Sequence, residues 1–224
     1  MLVRRIEAAI FDMDGLLVNT EQYWHRAEIE ILSELGVVMD ATSGRSTKGM
    51  RVDEVVALYF SLHPWSGPSQ HQVVEMILTR VGDLAEAEGS MLPGVRHTFS
   101  VLDAAGLPMV LASSTPRRLI DRILAHFDLS TQFQTISSAE AERYGKPHPA
   151  VFLTAAASIG ATPMHCVVFE DAPAGVLAAK AAQMACIAVP DPSDRDHPMI
   201  QIADVVLPSL EAFSLEVLAG LNVR

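Results

Sequence analysis

The sequence predicts an α/β fold in which a doubly wound parallel sheet receives a helical insertion after its first strand. Short, fully apolar runs recur along the chain, and most end abruptly in polar residues. Such runs are typical of strands that are buried on both faces of a parallel sheet. Helical patterns separate most of the runs, which indicates strand–helix–strand units. In contrast, residues 20–90 contain helical patterns and no convincing strand pattern.

Five of the apolar runs are predicted to be strands, and they cover residues 8–11, 108–112, 166–169, 186–189 and 204–207. The first three strands are each followed directly by polar residues. Because the carboxyl ends of parallel strands meet along one edge of the sheet, we expect these polar residues to converge on a single crevice.

Helices are predicted between the strands, over residues 115–126, 149–159 and 174–182. Thr115 followed by Pro116 favours the first of these helix starts, because threonine caps helices and proline suits the first helical position. In the insertion, helices are predicted over residues 24–35, 51–60 and 70–81. The last of these is preceded by a capping-box signal, Ser69 with Gln72. The predicted domains are a core of residues 1–19 and 91–224 and a helical cap of residues 20–90.

The composition is that of a globular protein, since 50% of the 224 residues are hydrophobic and only 19% are charged. A net charge of −11 disfavours binding to nucleic acids and to anionic membranes. The segment Met1–Arg5 lacks the apolar run of a signal peptide, and no apolar stretch is long enough to span a membrane. We therefore expect a cytoplasmic monomer without nucleic-acid or membrane partners, in which Cys166 and Cys186 are buried and reduced.

Asp12 and Asp14 are the first candidate functional residues. In an extended segment, side chains two residues apart lie on the same side, so both carboxylates would point into the crevice. Two such carboxylates repel each other unless a cation lies between them or one of them has a raised pKa. Mg²⁺, which prefers oxygen ligands, suits the pair. Taken alone, however, the Asp-Met-Asp-Gly segment is equally compatible with an exposed turn.

Further candidates follow the later strands. Ser113 and Ser114 precede a predicted helix, where a hydroxyl and free amides could bind phosphate or could serve as a simple cap. Lys146 lies in a loop stiffened by two prolines, although a lone lysine is more often a solvated surface residue. The pair Glu170-Asp171 ends a buried strand, where an uncompensated charge is costly. Together these groups form a complete set for phosphoryl transfer.

In this order, Asp12-Met13-Asp14-Gly15, Ser113, Lys146 and Glu170-Asp171 resemble the motifs of the haloacid dehalogenase superfamily of phosphohydrolases. The continuation to Thr20 resembles its β-phosphoglucomutase-like branch. Segments 8–17, 64–69, 92–96 and 146–149 are most similar to the bacterial hexitol and 2-deoxyglucose-6-phosphate phosphatases. The similarity covers essentially the whole chain, and it implies a Rossmann-like core with an inserted α-helical cap that closes over a small phosphorylated sugar or sugar alcohol.

The resemblance also implies roles for individual residues. Asp12 would attack phosphorus and become an aspartyl phosphate, and Asp14 would protonate the leaving alcohol and then activate water. Mg²⁺, for which Mn²⁺ or another divalent ion could substitute, would be held by the Asp12 carboxylate, the Asp14 carbonyl and Asp171, with Glu170 as a direct or indirect ligand. Phosphoryl oxygens would be bound by Ser113, the Ser114 amide and Lys146.

Some positions depart from the resemblance. Asn19 replaces an aspartate that is common in the sugar-phosphate mutases, and Trp24 falls where those mutases carry a histidine. Both differences favour a sugar-phosphate phosphatase over a mutase, while a non-catalytic sugar-phosphate-binding regulator is a further alternative. Lys48 and Arg51 lie in a predicted cap loop, where they could contact substrate or could equally face solvent.

Overall fold

The structure is a computed structural model that describes residues 5–38 and 47–221. Its sheet has six strands, β1 Ala8–Phe11, β2 Met109–Ser113, β3 Thr135–Ser138, β4 Cys166–Glu170, β5 Ala185–Ala188 and β6 Val205–Val206. The strand order is β3-β2-β1-β4-β5-β6, and every neighbouring pair is parallel. The predicted Rossmann-like, doubly wound sheet is confirmed.

Eight α-helices are described in these ranges: α1 Glu21–Glu34, α2 Val52–Leu62, α3 Gln70–Glu88, α4 Val95–Ala104, α5 Arg117–His126, α6 Ala150–Ser158, α7 Pro173–Ala181 and α8 Leu215–Leu221. Except for α8, which follows the last strand, they either lie in the insertion between β1 and β2 or connect consecutive elements of the sheet. None of the helices that the structure describes is long and apolar enough to cross a membrane.

The central strands are apolar because both faces of the sheet are covered. In β1, Ala9 and Phe11 belong to one apolar cluster, whereas Ala8 and Ile10 belong to a second cluster on the opposite face. The Phe11 ring stacks on that of Phe169, its register partner in β4, with centroids 4.5 Å apart. Polar side chains are costly inside strands that are buried on both sides, so the candidate functional groups lie at the last residues of the strands, such as Ser113 and Glu170, or directly after them.

The strand order places a crevice beside β1. The chain crosses to β2 and β3 on one side of β1 and to β4, β5 and β6 on the other side. At such a reversal, the connections leave the carboxyl ends of the strands in opposite directions and leave space between them. Asp12, Ser113 and Glu170 therefore reach the same place from three adjacent strands.

The insertion between β1 and β2 contains α1, α2 and α3. Both α1 and α2 pack on α3, and the buried apolar side chains of all three helices belong to the same cluster as Phe11. Two short connections join the insertion to the core and pair with each other, since the Asn19 amide donates to Ser90 O and the Leu92 amide donates to Leu17 O. This pairing lies at the boundaries of the predicted cap, although the division into two domains stays a prediction.

Some predicted element boundaries are wrong. Strand β3 was not predicted, because Thr135–Ser138 is polar and only partly buried at the sheet edge, so it lacks an apolar run. Helix α3 continues seven residues beyond Val81 to Glu88. Helix α5 begins at Arg117, and its N-cap is Pro116, without a side-chain cap. The hydroxyl of Thr115 donates to Asp14 Oδ2 instead of capping the helix.

Other expectations hold where the structure describes them. Ser69 and Gln72 form the predicted capping box at the start of α3. Cys166 and Cys186 are buried and are not disulfide-bonded. Residues 1–4, part of the segment examined for a signal peptide, and residues 39–46 of the predicted cap lie outside the described ranges, as do residues 222–224.

Candidate active site

Asp12 and Lys146 form the centre of the site. Asp12 follows β1 directly, and Lys146 lies in the loop between β3 and α6; the two residues are 6% and 2% exposed. Lys146 Nζ donates to Asp12 Oδ1 at 2.5 Å and to Glu170 Oε1 at 2.7 Å. The predicted surface alternative for Lys146 is therefore wrong, because its ammonium is buried and bridges two carboxylates.

The charges at this centre are strongly coupled. Burial raises the pKa of the Asp12 carboxyl well above its usual value, while the Lys146 ammonium opposes that shift and the neighbouring carboxylates add to it. Burial alone would lower the pKa of Lys146, but Asp12 and Glu170 outweigh it and hold that pKa above its usual value. Lys146 therefore stays charged, and a further cation close to Asp12 would favour the ionised form of its carboxyl.

Asp14 accepts hydrogen bonds from both sides of the crevice. Its Oδ1 accepts from Thr20 Oγ1 at 2.5 Å and from Trp24 Nε1 at 2.9 Å. Its Oδ2 accepts from Thr115 Oγ1 at 2.6 Å and from Ser113 Oγ at 3.4 Å. Two of these donors come from the start of the insertion, one is the last residue of β2 and one follows that strand, so the Asp14 carboxylate is held in one orientation where insertion and core meet.

The second acidic pair lies across the crevice at the end of β4. Glu170 Oε2 accepts from the Ala172 amide at 2.8 Å. Asp171 Oδ2 forms an ion pair with Lys48 Nζ at 2.8 Å, and Lys48 also contacts Asp194 Oδ2 at 3.1 Å. Burial raises the pKa of Asp171 to about 6, although the Lys48 ammonium opposes this shift.

The loop that precedes α2 closes the crevice. Lys48 reaches Asp171, so of the two cap-loop candidates it is the one that enters the site. Arg51 instead donates to the carbonyls of Ala139 and Glu142 at 3.2 and 2.7 Å. The hydroxyl of Ser114 donates to Gly49 O at 2.7 Å, so its side chain anchors this loop. Whether the Ser114 amide binds phosphate stays a prediction.

Sequence reasoning missed several residues of the site. Thr115 was interpreted as a helix cap, Trp24 only as a departure from the mutases, and Thr20 was given no role. The two hydroxyls and the indole N–H converge on Asp14 from different elements, so no local sequence pattern predicts that they meet there. A usable signal existed for Trp24, because an indole N–H on a helix close to an acidic motif needs an acceptor when it is buried.

The donor set fits a hard divalent cation. Carboxylates of Asp12, Asp171 and Glu170 surround the crevice, and a Cβ at Gly15, whose φ is +72°, would collide with Asp171 Oδ2. Glycine therefore lets the backbone after Asp14 approach that carboxylate closely. Among the described residues, no three His, Cys, Asp or Glu side chains are grouped as a metal cluster. An ion here would need backbone, water or phosphate oxygens as well, which suits Mg²⁺.

A cavity of about 50 Å³ lies between Asp12 and the first helix of the insertion. Its core side carries Asp12, Asp14 and Ser113, and its other side carries residues of α1 and the loop before α2. This volume is on the order of one or two water molecules. It is far below the volume of a typical small-molecule pocket, so the insertion lies close over the core in this structure.

Known proteins share this architecture. A family model described as haloacid dehalogenase-like hydrolase matches residues 6–183. Hexitol phosphatase B of Escherichia coli strain K12 is 42% identical over 218 residues, which cover 97% of this chain and 98% of that protein. A β-phosphoglucomutase from Clostridium difficile has a TM-score of 0.85 at 24% identity and covers 97% of each chain. CbbY from Rhodobacter sphaeroides, solved with phosphate, has a TM-score of 0.84 at 27% identity and covers 97% of this chain and 100% of that one.

These matches confirm the resemblance predicted from the motifs, the α/β fold class and the assignment as a phosphatase enzyme. The family match spans the segment from β1 to α7, which includes Asp12, Asp14, Ser113, Lys146 and Glu170-Asp171. The chain therefore belongs to the haloacid dehalogenase-like hydrolase family.

Proposed function

We propose that this protein is a Mg²⁺-dependent phosphatase that hydrolyses phosphate monoesters of small sugars or sugar alcohols, of the hexitol phosphate or 2-deoxyglucose-6-phosphate type. The observation that carries the proposal is the buried carboxylate of Asp12, which accepts a hydrogen bond from Lys146. Asp14, whose carboxylate is also hydrogen-bonded, lies two residues further along the chain. The 42% identity to a hexitol phosphatase over nearly the whole chain supports the substrate class.

In the first half of the reaction, an Asp12 carboxylate oxygen attacks phosphorus. A P–O bond to Asp12 forms, the P–O bond to the sugar breaks, and Asp14 donates a proton to the leaving alcohol oxygen. The four hydrogen-bond donors around Asp14 support its role, because they hold the carboxyl group in one orientation. Their hydroxyl groups can rotate, so the site tolerates both protonation states of Asp14.

In the second half, Asp14 removes a proton from a water molecule that attacks the phosphorus of the aspartyl phosphate. The P–O bond to Asp12 breaks, inorganic phosphate leaves, and both carboxyl groups return to their starting states. The closed contact between α1 and Asp14 excludes other water from the site during the first half, which favours transfer to Asp12.

Lys146 and Ser113 are proposed to bind the phosphoryl oxygens, together with the amide of Ser114. Lys146 Nζ lies 2.5 Å from Asp12 Oδ1, so a phosphoryl group on Asp12 is within reach of its charge. The Mg²⁺ ligands are proposed to be Asp12, the Asp14 carbonyl and Asp171, with Glu170 direct or indirect. A bound Mg²⁺ neutralises phosphoryl charge and favours ionised Asp12.

The test is phosphate release from a panel of hexitol phosphates, hexose phosphates and 2-deoxyglucose-6-phosphate, with Mg²⁺ and with a chelator. We expect release only with Mg²⁺, and a loss of about 10³-fold or more in kcat for Asp12→Asn and Asp14→Asn. The exposed Asp103→Asn is the control and should keep full activity. Full turnover by Asp12→Asn would contradict the proposed nucleophile. An isomerised sugar phosphate without free phosphate would favour the mutase alternative.

A further inference from the structure

One face of helix α1 forms the wall of the cavity opposite the core. Its four cavity-lining residues are Glu21, Trp24, His25 and Glu28. They are spaced at i, i+3, i+4 and i+7, so they lie on a single face of the helix. Trp24 is already engaged, because its indole N–H donates to Asp14. His25 and Glu28, which follow Trp24 on this face of α1, are not accounted for by a contact of this kind.

Glu28 is a buried carboxyl group without a partner among the residues that the structure describes. It is 6% exposed, and none of the residues that the structure describes donates a hydrogen bond to it or forms an ion pair with it. Burial alone raises its pKa to about 7. Buried charged or polar groups are normally satisfied, since an unpaired one costs free energy of folding. A native protein that tolerates this cost commonly does so at a functional site.

His25 repeats the pattern on the same helix face. Its Nδ1 atom is buried and has no hydrogen-bond partner within the described part of the chain. The surrounding cavity wall is apolar, since Met50, Val52 and Val55 line it from the loop before α2 and from α2 itself. The pocket therefore combines a carboxyl group and a ring nitrogen, neither with a hydrogen-bond partner among the described residues, with apolar surface. This is the arrangement that binds the hydroxyl groups and the C–H surface of a polyol.

The position of Glu28 relative to the reacting groups is defined by Trp24. The indole of Trp24 contacts Asp14, and Glu28 lies four residues later, about 6 Å further along the helix axis. A substrate whose phosphate lies at Asp12 and whose leaving oxygen lies at Asp14 would extend its carbon chain into the space between α1 and α2. Hydroxyl groups several carbon atoms from the phosphate would then reach Glu28.

We propose that Glu28, assisted by His25, binds hydroxyl groups of the substrate's carbon chain and selects polyhydroxylated phosphate esters over plain ones. The carboxylate accepts hydrogen bonds from two substrate hydroxyl groups, and His25 Nδ1 supplies a further donor or acceptor. The inference rests on the proposed phosphatase function and identifies the residues that determine its substrate class.

The test compares two substrates, a hexitol 6-phosphate and p-nitrophenyl phosphate, which has an apolar ring instead of hydroxyl groups. We expect Glu28→Leu to lower kcat/KM for the hexitol phosphate by about 10- to 100-fold, mainly through KM, because hydrogen bonds to a charged group are lost. The same variant should change kcat/KM for p-nitrophenyl phosphate by less than about twofold. Glu34→Gln, an exposed position on the same helix, is the matched control and should change neither value.

Thermal unfolding separates a binding role from a structural one. If Glu28 is kept for binding, Glu28→Leu should melt at the same temperature as the wild type or higher, because an unpaired buried carboxyl is removed. Should Glu28→Leu fail to fold, the ratio of kcat/KM for the two substrates can be measured in Glu28→Gln, which changes the shape of the side chain less. An unchanged ratio of the two kcat/KM values, or equal losses on both substrates, would overturn the inference while leaving the phosphatase proposal intact. Failure of the wild type to hydrolyse either ester would instead contradict the proposed function itself.

Discussion

Two buried carboxyl groups that face the same cavity have opposite surroundings. Asp14 accepts four hydrogen bonds, whereas Glu28 has no described partner. A satisfied carboxylate is held in place, which suits the proton-transfer role proposed for Asp14. An unsatisfied one is available to a ligand, and it makes the free protein less stable than it could be.

The difference at Glu28 predicts a specific dependence of stability on pH. Burial raises the pKa of this carboxyl from 4.5 to about 7, so the folded state holds the proton more tightly than the unfolded state. The unfolded state therefore binds fewer protons between these values, and stability falls as the pH rises through this window. Below pH 4.5 the carboxyl is protonated in both states, and the destabilisation disappears.

We expect Glu28→Gln to remove this contribution. Relative to Glu28→Gln, the wild type should lose on the order of 3 kcal/mol of unfolding free energy between pH 4.5 and 7. Urea unfolding at a series of pH values measures the difference. Glu34→Gln, whose carboxyl is exposed, should give a nearly constant difference from the wild type. A flat difference for Glu28→Gln, or one of the opposite sign, would show that Glu28 is not buried as a lone carboxyl.

At the scale of elements, the position of each candidate functional group relative to its partner depends on how two segments of the chain pack against each other. Strand β1 carries Asp12 to the crevice, but the loop after β3 supplies Lys146 and the loop before α2 supplies Lys48. The two connections between the insertion and the core also bond to each other. The side-chain Oδ1 of Asn19 accepts from the Ser90 amide at 2.8 Å, beside the backbone pairing of the same two residues.

Asn19→Ala should weaken this junction. The substitution removes the hydrogen bond from the Ser90 amide and the one between the Asn19 and Tyr23 side chains. Because Ser90 is exposed, water can replace the acceptor that its amide loses. We therefore expect a loss of only about 0.5–1.5 kcal/mol in the free energy of unfolding, measured with urea. Asn19→Asp keeps an acceptor oxygen at this position and serves as the matched control, with a change below about 0.5 kcal/mol. Equal losses for both variants would mean that the acceptor oxygen of Asn19 does not stabilise the junction.

On the scale of the whole molecule, the described state is closed. Contacts between the insertion and the core surround the site, and they include Ser114 with Gly49, Lys48 with Asp171, and Glu54 with the Gly145 amide at 3.1 Å. Because the cavity is far smaller than the proposed sugar-phosphate substrate, we expect these contacts to break and form again when such a substrate binds and leaves. The closed state would then be in equilibrium with an open one.

Arg51→Ala should shift that equilibrium towards the open state. The guanidinium donates to Ala139 O and Glu142 O across the interface, and its loss removes two hydrogen bonds from a charged group. We expect faster amide hydrogen exchange in residues 47–62 and 139–145 and a KM for substrate that rises a few-fold. Arg26→Ala is the control, because Arg26 pairs with Glu30 and Glu88 inside the insertion. Unchanged exchange in Arg51→Ala would contradict a closing role for this residue.

Much of the architecture could be predicted from the sequence because its signals are local. Apolar runs such as Ala8–Phe11 predict buried parallel strands. Because the carboxyl ends of parallel strands meet along one edge of the sheet, the residues that follow these strands are predicted to lie there. Strand β3 was missed because the partly exposed Thr135–Ser138 segment has no such run. Thr115 was misinterpreted because a hydroxyl before a helix can cap it or turn towards another acceptor, and only the position of Asp14 decides between these.

The sequence by itself determined the family, the apolar strands of the sheet and the ordered set of acidic, hydroxyl and lysine groups, since each depends on short segments and on their order. The tertiary structure alone decided which groups meet. It buried Lys146 between Asp12 and Glu170, directed Thr20, Trp24 and Thr115 to Asp14, and left Glu28 without a described partner. These are properties of distance between elements far apart in the chain, and no local pattern of residues encodes such distances.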